Sequence, residues 1–218
     1  MVKEASGWID ISVPLRNGMV HWPGDPGFSI ERTEEIGKEG AHANLSNITM
    51  GSHSGTHVDA PCHFIPGEKG VDRMPLDVAV GPARIIEISD PESIKPAEQA
   101  QYRIRSGERI LYKTRSSSYV WKSDKFIEEY VYISPEAADF LAGLKLKLVG
   151  VDYLSVGGYK KDGAYVHQAL LGSGMWLVEG LDLSGTQAGD YDLICLPLRI
   201  IGADGAPART IVKPRTRG

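Results

Sequence analysis

Apolar and polar positions along the chain fall into short runs rather than long helical stripes. ARIIEI (83–88), ERILYKTR (108–115), LKLVGVDYLSV (146–156), MWLVEGL (175–181) and YDLICLPLRIIG (191–202) are rich in β-branched and aromatic residues and predict strands. Two segments carry helical signals. Ser134-Pro135-Glu136 ahead of AADFLAGL supplies an N-cap serine, a proline at the first helical position and an acidic first turn, with Gly143 expected to stop the helix. AYVHQALL (164–171) brings His167, Leu170 and Leu171 onto one helical face. VPLRNGMVHWPGDPG predicts turns, and SSSYVWKSDKFIEEY (116–130) reads as an irregular insertion near a site or a partner chain. The balance is a mixed, strand-rich α/β fold in one domain spanning 1–218.

Composition narrows the class. Of 218 residues 42% are apolar and 24% charged, enough for a substantial core. The net charge of -4 gives no footprint for nucleic acid, and the basic KPRTRG at the C-terminus is short enough to be a solvated tail. Two cysteines far apart, Cys62 and Cys195, give no disulfide framework and fit a reducing compartment. No run approaches the roughly 18 apolar residues of a membrane span. MVKEASGWIDIS lacks the apolar core of a signal peptide. A cytoplasmic protein with no membrane partner is expected.

The candidate chemistry lies in GSHSGTHVDAPCHF (51–64), which holds three of the six histidines. Gly51, Gly55 and Pro61 exclude a helix there, so a loop running into an extended segment is expected. In extended chain His57 and Asp59 share a side, and a bend at Ser54-Gly55 brings His53 to the same point. Imidazole and carboxylate donors of this kind suit zinc or manganese. His63, four positions beyond the carboxylate, is placed to face a metal without binding it and to move protons. Cys62 reads as a small apolar filler rather than a ligand. A lone histidine is ordinarily just hydrogen-bonded, but four such groups together need a metal or a polar network. Ser/His/Asp catalysis is the rival arrangement, yet Ser52, Ser54 and Gly172-Ser173-Gly174 offer no nucleophile elbow.

The stretch 53–63, HSGTHVDAPCH, resembles the H-x-G-T-H-x-D-x-P-x-H signature of the metal-dependent cyclase-family hydrolases, which include bacterial kynurenine formamidase and isatin hydrolase. Trp22-Pro23-Gly24-Asp25-Pro26, GVDYLSV (150–156), VHQALL (166–171), WLVEGLDLS (176–184) and YDLICLPLRIIGADGAPART (191–210) resemble other family segments. The resemblance implies a swivelling β/β/α fold, a homodimer or homotetramer, and a cage for one or two ions. His53, His57 and Asp59 map to its first ligands, and His167 and Glu179 complete it. Glu179 has independent support: a carboxylate inside the apolar run WLVEGL needs a partner such as a metal.

The implied reaction is cleavage of an amide or cyclic amide by metal-activated water, with His63 as general acid and base and Trp22 lining the substrate pocket. Hydrolysis of N-formyl-L-kynurenine by an arylformamidase is a specific case of that reaction. A non-catalytic protein that binds a metal or small ligand is the alternative of another class. Residues 116–130 are the candidate for walling a neighbouring subunit's site.

Overall fold

A computed structural model describes residues 7–38 and 40–215. Residues 216–218 of the KPRTRG tail and the first six residues of the chain lie outside this range. The strands, in chain order, are β1 (Ile9–Asp10), β2 (Ser29–Glu34), β3 (Leu45–Thr49), β4 (His57–Asp59), β5 (Val80–Glu87), β6 (Ser93–Ile94), β7 (Arg109–Lys113), β8 (Tyr132–Ile133), β9 (Leu148–Val151), β10 (Trp176–Glu179), β11 (Gly189–Pro197) and β12 (Gly205–Pro214). The helices are α1 (Leu76–Ala79), α2 (Pro96–Ala100), α3 (Pro135–Leu144) and α4 (Gly163–Gly172).

The main sheet runs β1-β12-β11-β5-β7-β9-β10-β4, and β4 returns to pair with β12, so seven strands close into a barrel-like ring. Strands β5, β7, β9 and β10 are mutually parallel. Parallel neighbours need a crossover between them, and α2, α3 and α4 lie in those connections. Crossover helices cover a sheet's outer face, so these strands must be apolar on both faces. The strand period of two sorts the residues accordingly. Ile85, Leu111, Leu148 and Val178 join the barrel interior with Val58, Leu193, Cys195 and Val212. Their alternates Ile86, Ile110, Tyr112, Val149 and Leu177 pack outward with Ala138, Leu141, Val166 and Leu170 of the helices. Gly150 is required inside: a Cβ there would stand 2.6 Å from Leu111 Cδ2 and 2.9 Å from Leu181 Cδ1.

The expected mixed α/β, strand-rich fold is borne out, with corrections at element ends. Ser134 caps α3, its side chain accepting from the Ala137 amide, and Pro135 opens it. Gly143 does not stop the helix. It lies inside α3, and Lys145 takes the left-handed conformation at the C-terminal end. The run 191–202 is strand only to Pro197; the chain then reverses to deliver β12, leaving Ile200 and Ile201 exposed. The run 146–156 leaves the sheet after Val151, where buried Asp152 turns to accept from the amides and hydroxyls of Thr114 and Ser117.

The segment 116–130 folds onto its own chain. Tyr119, Val120, Trp121, Phe126, Ile127 and Tyr130 form an aromatic cluster with Trp22, Tyr153 and Tyr159. Strands β2 and β3 form a separate two-stranded hairpin whose strand residues are all exposed, with Ile30 facing Ile48 in the pairing. The hydrophobic pattern did not predict it.

Candidate metal centre and active site

The loop 51–56 leads into β4 as expected. Gly55 makes the bend with φ +64°, and a Cβ there would meet Leu15 Cδ2 at 2.5 Å. In β4 the side chain of Val58 enters the barrel core, so His57 and Asp59 project from the opposite, outer face. The antiparallel register places Leu177 opposite Asp59 and Glu179 opposite His57. His167 comes from α4, on the same outer side. Residues 53–59, 167 and 179 therefore meet between the barrel wall and one crossover helix.

Two groups of donor atoms form there. His53, His57 and Asp59 make one; Asp59, His167 and Glu179 make the other. Asp59 Oδ1 stands 2.9 Å from His53 Nδ1 and 3.3 Å from His57 Nε2. Its Oδ2 is 3.7 Å from His167 Nε2. Glu179 reaches His57 Nε2 with Oε2 at 3.3 Å and His167 Nε2 with Oε1 at 3.2 Å. The Val156 amide donates to Glu179 Oε1 at 2.6 Å and holds that carboxylate in place.

Each imidazole is tied at its far nitrogen. His57 Nδ1 is 2.9 Å from the Gly55 carbonyl, and His167 Nδ1 is 2.7 Å from the Gly163 carbonyl. A carbonyl only accepts, so both Nδ1 atoms carry protons and both Nε2 atoms face the cage. His53 is reversed: Nδ1 faces Asp59, and Nε2 lies 2.8 Å from Asp204 Oδ2.

The donor set fits a divalent cation on a structural ground. Asp59 is fully buried and Glu179 is 3% exposed, two carboxylates side by side out of water. Yet His57 Nε2 and Asp59 Oδ2 have no hydrogen-bond partner, because the atoms approach without hydrogen-bond alignment. Buried polar atoms left so are costly unless something between them completes their bonding. Without a cation, protons neutralise the cage. Burial opposes charging His57, but Asp59 and Glu179 outweigh it and push His57 up to about 10. Burial likewise acts to raise Asp59, but His53 and His57 hold it well below the usual carboxylate range. A metal ion supplies the same positive charge without protons.

His63 follows β4 on a short 3-10 turn, Pro61–His63. Its ring stacks on His53 at 4.1 Å between centroids, and burial lowers its pKa below the ordinary 6.5. It is neutral at pH 7 and able to accept a proton. A cleft of about 340 Å³ opens here, floored by His53, His63, His167 and Glu179, with Trp22 and Phe64 among its walls. Phe64 stacks on His167 at 4.3 Å. Trp22 takes part in both a turn and the cleft wall. Its carbonyl accepts from the Asp25 amide in a turn, while its ring lines the cleft edge-to-face with Phe126 and Tyr159. Cys62 points away, its Sγ towards the Ala203 carbonyl at 3.7 Å.

All seven sequence candidates thus come together around one cleft. Sequence reasoning missed Asp204, which also joins His53 and His63 in a third donor group. The signal was an aspartate framed by small residues in GADGAP, a composition that reads as a plain turn.

Residues 9–157 match the model of the Cyclase family. A kynurenine formamidase from Bacillus cytotoxicus is 39% identical over 211 residues, covering 97% of this chain and 99% of that protein. The chain belongs to the cyclase family. A solved cyclase-family structure, described as a potential metal-dependent hydrolase with cyclase activity, superposes with a TM-score of 0.82 at 30% identity, covering 96% of this chain and 98% of its own. Isatin hydrolase A from Labrenzia aggregata, bound to benzyl benzoate, shares the fold with a TM-score of 0.83 at 24% identity, covering 98% and 97%.

Proposed function

We propose that the cleft is the active site of a metal-dependent hydrolase acting on an amide or cyclic amide C–N bond. The observation that carries this reading is the pair of buried, unpartnered atoms His57 Nε2 and Asp59 Oδ2, set against His53, His167 and Glu179, which floor a cleft that also holds His63 with its pKa lowered by burial. The kynurenine formamidase relatives and the family fold support the same chemistry. The reading takes residues 1–218 as one hydrolase domain.

In this reading His53, His57, Asp59, His167 and Glu179 hold zinc or manganese. Asp59 belongs to both donor groups, which suits two ions. A divalent ion in such a cage supplies Lewis acidity that lowers the pKa of water towards neutrality and polarises a carbonyl. The chain's own residues do the rest. His63, neutral and off the cage, takes the proton of the attacking water and returns it to the departing nitrogen. Trp22 and Phe64 bracket a planar substrate and exclude water from its faces. The Gly55 and Gly163 carbonyls keep Nε2 of His57 and His167 as the donor atoms.

Hydrolysis of N-formyl-L-kynurenine is the narrower reading. The relatives' identity favours it, and the cleft carries both signs of charge, Asp25 opposite in charge to Lys160 and Lys161, as a zwitterionic amino acid requires. A second copy of the chain belongs to the same proposal: an isolated two-stranded hairpin is marginal in water, and β2–β3 exposes Ile30, Leu45 and Ile48. No helix among the described residues is long and apolar enough to cross a membrane, which is compatible with a cytoplasmic small-molecule enzyme.

The test is a panel of formanilide, N-formyl-L-kynurenine, isatin and a hydantoin ring offered to zinc- or manganese-loaded protein. Cleavage of at least one supports the hydrolase. Preference for N-formyl-L-kynurenine over formanilide supports the narrower reading. A loaded protein that binds these rings and cleaves none supports the non-catalytic alternative.

A further inference from the structure

Three imidazoles face the cage, and each needs its other nitrogen fixed. His57 and His167 use backbone carbonyls, which no side-chain change removes. His53 uses the side chain of Asp204, which stands just ahead of β12. The ladder delivers it there. Gly205 is paired with Asp59, and the Ala60 amide donates to the Asp204 carbonyl at 2.9 Å. Ser52 Oγ donates to Asp204 Oδ1 at 3.1 Å, leaving Oδ2 for the histidines. Gly205 completes the fit, since a Cβ there would stand 2.7 Å from His53 Cε1 and 2.8 Å from the Val58 carbonyl.

Oδ2 has a second neighbour. His63 Nδ1 lies 3.6 Å from it, and the His63 ring is stacked on that of His53. One carboxylate oxygen therefore stands beside both a candidate ligand and the candidate base. With Nδ1 of His63 on the Asp204 side, Nε2 is the nitrogen left to exchange protons with substrate. A carboxylate beside the far nitrogen of a general base orients the ring and stabilises the imidazolium that forms during reaction.

We propose that Asp204 is a positioning residue for this hydrolase: it fixes His53 with Nδ1 towards the cage and braces His63 as proton carrier. The inference rests on the metal-hydrolase reading above. The same three residues could in principle hold an outer ion. However, an imidazole that gives Nδ1 to the cage keeps its proton on Nε2, so His53 donates to Asp204 and cannot also ligate there.

Two variants test this, each stripped with chelator and reloaded with zinc. Asp204→Ala removes the acceptor for His53 and should weaken zinc ten- to a hundredfold in competition with a chelating dye. Asp204→Asn keeps an oxygen for His53 but no charge beside His63. It should hold zinc within about threefold of wild type yet lose at least about tenfold in kcat for formanilide at nearly unchanged KM. Asp204 is half-exposed, so neither change should unfold the chain, and the melting temperature of the zinc-free variants checks this. Zinc affinity and kcat within twofold of wild type in Asp204→Ala would overturn the proposal. So would a loss confined to KM, which would make Asp204 a substrate contact. Wild-type protein that binds no zinc and cleaves no amide would instead remove the underlying reading, a result distinguishable because it needs no variant.

Discussion

His57 and Glu179 face each other across the β4–β10 pair, with Nε2 and Oε2 3.3 Å apart, although 122 positions separate them in the chain. One antiparallel register thus brings the middle of the histidine motif against the distant carboxylate. A slip of one residue would set the two side chains on opposite faces of the sheet and turn one of them into the barrel core. Glu179→Gln preserves shape and removes charge. It should weaken metal binding at least about tenfold, and His57→Ala or Asp59→Ala should lose metal and activity together. Metal content by mass spectrometry checks this; stoichiometric metal in all three would sink the ligand assignment.

His63→Ala separates base from cage. It should retain metal at the wild-type level and lose kcat by about 10²–10⁴, the range general acid–base catalysis supplies. Loss of metal in this variant would place His63 among the ligands instead.

The pH dependence of the metal-free chain has a definite sign. His57 is raised from 6.5 to about 10, because Asp59 and Glu179 outweigh the effect of burial. A raised imidazole contributes stability that is fully present below pH 6.5 and is lost as pH climbs through about 10. Thermal unfolding of chelator-treated protein should therefore show a melting temperature falling from pH 7 to pH 9. Added zinc must displace protons, so its affinity should rise by about tenfold per pH unit for each proton released. A metal-free melting temperature that rises over this range would contradict the protonated cage.

Gly205→Ala tests the packing beneath His53. The new Cβ meets the His53 ring on one side and the Val58 carbonyl on the other, and the backbone cannot yield as a flexible side chain would. Weakened zinc binding is expected, with overpacking costing roughly 1–3 kcal/mol of stability. Unchanged zinc affinity by dye competition would show that His53 does not need its present position.

What the sequence made legible follows the range of the interactions. His53, His57, Asp59 and His63 fall within eleven residues, so glycine, proline and strand periodicity sufficed to mark three as candidate ligands and His63 as the candidate base. Glu179 was visible because a carboxylate in an apolar strand needs a partner. His167 on an amphipathic helix looked ordinary and entered only through family resemblance. Asp204 acts through contacts spanning about 150 residues and carries no local pattern. The β2–β3 hairpin escaped for another reason: no residue of SIERTE or LSNIT is buried in a core of this chain, so no hydrophobic face marks them as strands.

Metal dependence of amide cleavage is the decisive measurement. Chelator-treated protein, verified metal-free by elemental analysis, would be titrated with zinc or manganese while hydrolysis of an aryl formamide or isatin is followed. Activity should be absent at the start, rise with added metal and saturate at one or two ions per chain. Metal-free protein that hydrolyses these substrates at the full rate would contradict the proposed cage chemistry.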